Sequence, residues 1–492
     1  MFSRFLSAWL MCVSLAATAD SGDLVRIGDL WRFQKLPAAA SPPDRNWAQR
    51  EFDDSRWRFA ASGLQIVDED VGLAPRGAPG YIFQRRAFTV RDPASIRALV
   101  LRVEHEEGYV AYLNGVEVAR HQGRGIRYPT PEDIAAGMED PLLTLGVHDL
   151  SEARSLLIEG ENVLSVEGAY TGESASLLSL AATLTANFTR GPFIQNSTTG
   201  SVQIIWRTAT PASSVVRYGL SPSLSQTAMS SELVTEHVVT LTGLAPDTKY
   251  FYQVCSTNSD DPEPMCGNVE WFRTLKSAGP ITFAALGDSG DGSSAQSQIA
   301  SVLRGLGAEL VIHVGDLVYG GFSDATADTR IFNFYQPHMK NTPFFCTPGN
   351  HEHNCCGGID DRGITNYQNV FYLPTNSVTG TEHFYSFDHG DAHFVSLYNP
   401  WFANYVFTNE SPQFMWLTND LAMSNKKWKF LFFHSPAAHS GLHAGRDNDN
   451  NGVPDQTQVI ELLLPAAVTY GVQLIFAGHD HNFEKFAPSN GV

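Results

Sequence analysis

No stretch of this 492-residue chain offers the roughly 20 consecutive apolar residues that a helix needs to cross a bilayer. The apolar run from Phe5 to Ala17 is too short, so no membrane span is expected. Basic residues are scarce as well: 33 Lys and Arg stand against 52 Asp and Glu, a formal charge of −19. That balance leaves no basic footprint for nucleic acid or an anionic membrane surface. An anionic substrate would have to be drawn in by a local cluster of positive charge, such as bound metal ions. No GxSxG elbow or comparable nucleophile context is present, which disfavours a serine or cysteine hydrolase. No solenoid-type repeat is visible either.

What remains is an ordinary globular composition, 43% hydrophobic and 17% charged, with length for about three domains. Arg4, the apolar run and the small residues Ala17-Thr18-Ala19 before Asp20 read as a signal peptide over 1–19. The mature protein is therefore expected to be secreted or periplasmic. Of the six cysteines, Cys12 would leave with that signal. Cys255 and Cys266 flank a polar loop between two strand-like runs, which suits a disulfide across a hairpin. Cys346 could pair with Cys355 or Cys356, leaving one thiol over.

Residues 20–188 alternate apolar and polar residues in the period of half-buried strands, as in GYIFQRRAFTV and NVLSVEG. Asn114-Gly115 between YVAYL and VEVAR predicts a two-residue hairpin. The exposed-type aromatics Trp47, Trp57 and Tyr81 are candidates for stacking on carbohydrate, against the alternative that they are core. Residues 189–276 contain short strands at the spacing of a small sandwich, among them SVQIIWRTA, KYFYQVCS and VEWFRTL. From Ile281 strands alternate with amphipathic helices, which implies a largely parallel, layered α/β domain. HFYSFDHGDAHFVSLY is the exception and reads as a hairpin.

Within that third region, apolar runs end in short polar motifs: GDSG (287–290), GDLVY (315–319), GNHE (349–352), FHSP (433–436) and GHDH (478–481). Buried parallel strands read as nearly continuous hydrophobic runs, and open α/β sheets place ligands beyond their carboxyl ends. Asp288, Asp316, Tyr319, Asn350, His351, His434, His479 and His481 are thereby expected on one rim. Carboxylate, amide, phenol and imidazole donors suit hard or borderline metals.

The motif series GDxG, GDxxY, GNH(D/E), VxxH and GHxH resembles that of the purple acid phosphatases within the metallophosphoesterases, over 279–492. Leu431 stands where that pattern has Val, and the chain ends 11 residues after His481, where the family continues; a truncated catalytic domain is expected. The resemblance implies that Asp288, Tyr319 and His481 bind one metal, Asp316 bridges, and Asn350, His434 and His479 bind the second. Gly290 replaces the histidine ligand of the DxH relatives, and Tyr319 compensates. That implies Fe(III) in the first site and Fe(II), Zn(II) or Mn(II) in the second. Catalytic roles in phosphate contact and proton transfer fall to His351 and to His443, with His439 as the competitor for the latter; Glu352 is expected to orient a histidine.

Residues 189–276 resemble the fibronectin type III-like domain that precedes such catalytic domains. YLNGVEVAR and EGENVLSVE resemble galactose-binding-like jelly rolls appended to secreted hydrolases. The expected fold class is thus two N-terminal all-β domains, jelly-roll-like and then a fibronectin III-like sandwich, followed by the layered α/β metallophosphoesterase domain. Asp447 to Asp455 offers oxygens resembling the start of a calcium loop, but Gln458 stands where an EF-hand has Glu. The function implied is an exported dinuclear-metal phosphatase that hydrolyses phosphate monoesters by attack of a metal-bound hydroxide. The alternatives are a phosphodiesterase on the same site, or a surface or glycan-binding protein with a vestigial metal site.

Overall fold

A computed structural model describes residues 22–25, 29–37, 46–61, 80–96, 98–105, 108–121, 144–170, 180–259, 264–292, 294–319, 321–353, 361–399, 408–436, 459–481 and 483–485. The predicted signal peptide, His439, His443 and the 447–455 loop lie outside them. Among the described residues no helix is long and apolar enough to cross a membrane.

The N-terminal region holds β1 (Gly22–Val25), β2 (Leu30–Pro37), β3 (Arg58–Ala61), β4 (Gly80–Val90), β5 (Leu99–His105), β6 (Tyr109–Leu113), β7 (Val116–His121), β8 (Thr144–Asp149), β9 (Gly160–Tyr170) and β10 (Ala181–Ala186). They form two antiparallel sheets, ordered β1-β10-β5-β8 and β3-β2-β4-β9-β6-β7. Alternation along each strand sends one side-chain set inward, and residues of both sheets, such as Val25, Ile82, Leu101, Leu164 and Leu184, share one core. Asn114 and Gly115, at φ 51° and 85°, make the tight β6–β7 turn that the Asn-Gly pair predicts. The aromatic platform does not form. Trp47 and Tyr81 are buried, and with Phe83 and half-buried Trp57 they build a small core of their own. Trp47 packs edge-on against Phe83 and Tyr112 at 5.0 and 5.6 Å. Large aromatic area is worth more in a core than facing water, so the bland alternative holds here.

The middle region comprises β11 (Phe188–Gln195), β12 (Ser201–Gly219), β13 (Gln226–Thr242), β14 (Lys249–Ser256), β15 (Met265–Cys266) and β16 (Glu270–Arg273). One antiparallel network joins them because β12 is 19 residues long. Its first half pairs with β11 and its second with β14, with register shifts between Arg207 and Ser214. Both halves contribute to one core around Trp206, Val216 and Tyr252. Cys255 and Cys266 are cross-strand neighbours and form the expected disulfide.

The third region has β17 (Phe283–Leu286), β18 (Leu310–His313), β19 (Phe344–Cys346), β20 (Tyr385–His389), β21 (Ala392–Ser396), β22 (Trp428–Phe432) and β23 (Leu474–Phe476). They form two sheets: parallel β17-β18-β19, and β20-β21-β22-β23, in which only the β20–β21 hairpin is antiparallel. The sheets face each other through aromatic contacts. Phe283 meets Phe394, Phe430 and Phe476 at 5.0, 5.4 and 5.8 Å, and Phe345 stacks on Phe387. Helices add to the same core through Ala300 and Leu303 of Ser294–Gly305 and Trp416, Leu417 and Leu421 of Pro412–Met423. The latter starts where its sequence says, with the Ser411 hydroxyl accepting from Phe414 N–H and proline in the first turn.

Cys346 is a free, fully buried thiol, so the expected pairing with Cys355 or Cys356 does not form; those two lie outside the described residues. The Cys346 backbone is tied instead, its carbonyl accepting the hydroxyls of Tyr367 and Tyr385. The middle region is fused to the third. Phe193 and Ile205 sit in its core, Arg190 Nε donates to Asp328 Oδ1 at 2.7 Å, and Tyr252 Oη donates to the Lys340 carbonyl at 2.9 Å.

Candidate metal centre

Five strands, β17, β18, β19, β22 and β23, end at one place, and each is followed within a few residues by polar side chains. Asp288 and Asp316 follow β17 and β18, Asn350 follows β19, His434 follows β22, and His479 and His481 follow β23. Four of these six residues have left-handed backbones: Asp288, Asp316, His479 and His481 lie at φ 53°, 53°, 77° and 52°. Each costs on the order of 1–2 kcal/mol for an L-residue, and such strain concentrates where side chains must converge.

The convergence needs close backbone approach. At Gly315 a Cβ would lie 2.6 Å from His434 Nδ1 and 2.9 Å from the Gly349 backbone. Gly290 is tighter still, for a Cβ there would meet the Leu317 carbonyl oxygen at 1.9 Å. Gly290 N–H donates to the Asp316 carbonyl and its own carbonyl accepts Tyr319 N–H, at 3.3 and 3.0 Å. The missing histidine and the added tyrosine are therefore one structural fact. The turn that presents Tyr319 occupies the space a side chain at 290 would need.

The side chains fall into two overlapping groups. Asp316, His434 and His479 are all buried, and their ligand atoms lie within 4.8 Å of one another; so do those of Asp288, Asp316 and His481. Asp316 belongs to both. Asn350 Oδ1 joins the first group, 2.8 Å from His434 Nε2 and 2.9 Å from His479 Nδ1. Tyr319 joins the second, its hydroxyl 2.8 Å from His481 Nε2. His351 stands beside both, its Nε2 3.9 Å from Asp316 Oδ2 and its ring edge-on to Tyr319 at 4.5 Å. The structure thus brings together every predicted site residue that it describes.

The donor set fits a pair of cations. His434 Nδ1 lies 2.9 Å from the Val314 carbonyl, which can only accept, so that nitrogen carries a proton and, in the neutral ring, Nε2 offers its lone pair inward. There it meets His479 Nδ1 at 3.2 Å, Asn350 Oδ1, and Asp316 Oδ2 at 3.4 Å. With the imidazoles in their neutral, ligand form, these lone pairs and carboxylate oxygens crowd one another and call for positive charge between them. The same demand shows in the electrostatics of the site. Burial would lower the pKa of His434, yet Asp316 and Asp288 raise it to about 9. Burial raises that of Asp288, opposed by His434 and reinforced by Asp316, and the net direction is up. Asp316 is pulled down to about 2 by His434 and His351 against its own burial. Burial, then Asp288 and Asp316, push the Tyr319 phenol far up, so a phenolate there requires a cation.

Glu352 has a different part from the one its sequence suggests. Among the described residues it bonds no histidine. Fully buried, it accepts four backbone N–H groups: Asp316 and Gly349 on Oε2, at 2.9 and 2.6 Å, and Leu317 and Val318 on Oε1, at 2.8 and 3.2 Å. One carboxylate thereby ties the turn after β18 to the turn after β19. Burial and the nearby Asp316 push its carboxyl up, and the N–H groups of Gly349 and Val318 push it back. With four donors aimed at it there is no acceptor for a carboxyl proton, and the loop is built around the anion. The sequence signal was present, a glutamate two positions after a ligand asparagine, but its partners are backbone atoms that no spacing reveals.

Comparison with known proteins gives a consistent picture. Residues 281–483 match the family model described as calcineurin-like phosphoesterase, and residues 193–274 that of the purple acid phosphatase N-terminal domain. Acid phosphatase type 7 of Homo sapiens is 27% identical over 324 residues, which cover 59% of this chain and 68% of the relative. Purple acid phosphatase 23 of Arabidopsis thaliana is 30% identical over 285 residues, covering 51% and 57%. A purple acid phosphatase of Glycine max is 26% identical over 309 residues, covering 58% and 62%. The chain spans between about half and two thirds of the length of such relatives.

Proposed function

The chain belongs to the purple acid phosphatase family of calcineurin-like phosphoesterases, and from that premise we propose that it is an exported hydrolase of phosphate monoesters working through a dinuclear metal centre. The observation that carries the reading is the shared carboxylate, since Asp316 belongs to two donor groups whose other members differ. Asp288, Tyr319 and His481 would hold one ion, Asn350, His434 and His479 the other, with Asp316 between them. A phenolate donor favours a trivalent ion, hence Fe(III) beside Tyr319, with Fe(II), Zn(II) or Mn(II) in the second position. When bound, the two ions supply the Lewis acidity that activates water and neutralises phosphoryl oxygens.

The chain's own residues do the rest. Left-handed backbones at Asp288, Asp316, His479 and His481 and the Glu352 anchor hold the donors in place before substrate arrives. His351 is about one fifth exposed. Burial lowers its pKa, partly opposed by Asp316. It is the group we assign to contact phosphate and to protonate the leaving alkoxide. His443 is assigned a second substrate contact on its motif position alone. The Cys255–Cys266 disulfide supports export, because such bonds persist in oxidising compartments.

The test is a visible absorption spectrum and metal analysis of one purified sample, followed by assay on a phosphate monoester. A broad visible band lost in Tyr319→Phe, with activity and metal lost together in Asp316→Ala, is the expected result. Colourless protein with two zinc or manganese ions would remove the iron assignment. Protein that takes up no metal after reconstitution would end the enzymatic reading.

A further inference from the structure

The chain is acidic overall, yet it gathers cations in one cavity that none of the metal-site residues lines. The cavity, of about 290 Å³, lies where the three regions meet. Arg102 comes from β5 of the N-terminal sandwich, Arg190 from β11 of the middle region, and Arg304 and Lys340 from the third. Glu270 is the one acidic residue among its described lining residues, 3.7 Å from Lys340 Nζ. Four cations and one anion thus line the cavity in a protein of formal charge −19, with Asp328 and Asp324 paired to Arg190 beside it.

Arg190 is the informative member. It is 1% exposed, and its guanidinium lies over the Phe332 ring at 4.3 Å. Nε donates to Asp328 Oδ1 at 2.7 Å, and Nη2 lies 3.7 Å from Asp324 Oδ1, an exposed carboxylate that bonds Arg207 at 3.0 Å. Neither Nη1 nor Nη2 makes a hydrogen bond among the described residues, although both are buried. A guanidinium carries five donors in a fixed fork, and leaving four of them dry is costly. An oxyanion in the cavity would take them. Space for roughly ten waters, at about 30 Å³ each, admits a phosphoryl group with a small organic substituent.

We propose that this junction cavity is a binding site for a small phosphate-type oxyanion, either inorganic phosphate or a compact phosphomonoester, whose binding clamps the three regions together. The site goes beyond the catalytic reading and does not depend on it. Its charges are arginines and lysine rather than metal ions, and it stays in place if the metal centre is destroyed.

The experiment is calorimetric titration of the full chain with inorganic phosphate and, separately, with glucose 6-phosphate, in an Asp316→Ala background that removes the metal centre as a phosphate site. One bound anion per chain is expected, with a melting temperature that rises with anion concentration. Arg304→Glu, at a half-buried lining position, should weaken binding about ten- to hundredfold, the loss of one charge-assisted contact. Arg190→Gln should do the same, and Arg304→Glu keeps the test valid if loss of the Asp328 contact unfolds that variant. Tighter binding of the ester or of free phosphate tells which source fits. No binding in Asp316→Ala, or binding that Arg304→Glu leaves unchanged, overturns the proposal.

Discussion

Replacing Glu352 by glutamine tests the claim that one buried carboxylate assembles the centre. Its two oxygens accept four backbone N–H groups, two each. A glutamine keeps one acceptor oxygen and presents an NH₂ group where the other was, so two backbone donors lose their partner and face another donor. Each lost bond to a charged, buried acceptor is worth about 1.5–3 kcal/mol. The expected cost is therefore about 3–6 kcal/mol, a large share of the roughly 5–15 kcal/mol by which a domain is stable. For a domain of some 200 residues that is a fall in melting temperature on the order of 10 °C. Scanning calorimetry on the parent, Glu352→Gln and the exposed control Glu461→Gln would measure it, with metal content determined on the same samples. The variant should also retain less metal, because the turns bearing Asp316 and Asn350 lose their common anchor. If Glu352→Gln melts within about 2 °C of the control and holds metal as the parent does, the anchoring argument is wrong.

Gly290→Ala should destabilise by more than about 2 kcal/mol, because its Cβ would strike backbone atoms of Leu317 and Val318 at 1.9 and 2.4 Å; a urea midpoint unchanged from the parent would contradict this. His393 is held between Asp388 and Asp420 at 2.7 and 2.8 Å. Burial lowers its pKa, but the two carboxylates raise it to about 9. A folded pKa above the unfolded value near 6.5 gives stability that is complete below about pH 6.5 and lost as pH rises through about 9. The amount is about 2–3 kcal/mol, allowing for half-exposed Asp388. His393→Gln should flatten that part of the stability–pH curve, and identical slopes for parent and variant would refute it. Cys255→Ser opens a loop with a sequence separation of 11, for which the chain-entropy account gives about 3 kcal/mol; reductant should shift the melting of the parent and leave the variant unmoved.

Local sequence was enough to locate where the strands of the third region end and which donors follow them. Both facts are local: a strand buried on two faces is apolar along most of its length, as Leu310–His313 and Phe344–Cys346 are, and the polar motif follows where the run stops. The Asn114-Gly115 turn and the Cys255–Cys266 pairing were legible for the same reason, since each is settled by neighbours in sequence or across one hairpin. Tertiary structure alone decided what depends on partners far apart in the chain. It split the strands into two sheets joined through Phe283, buried Trp47 and Tyr81, left Cys346 as a thiol, and gave Glu352 backbone partners instead of a histidine. It also set Arg102, Arg190, Arg304 and Lys340, spread over 239 positions of sequence, around one cavity. Periodicity reports whether a side chain faces inward; only the packed fold reports what it meets there.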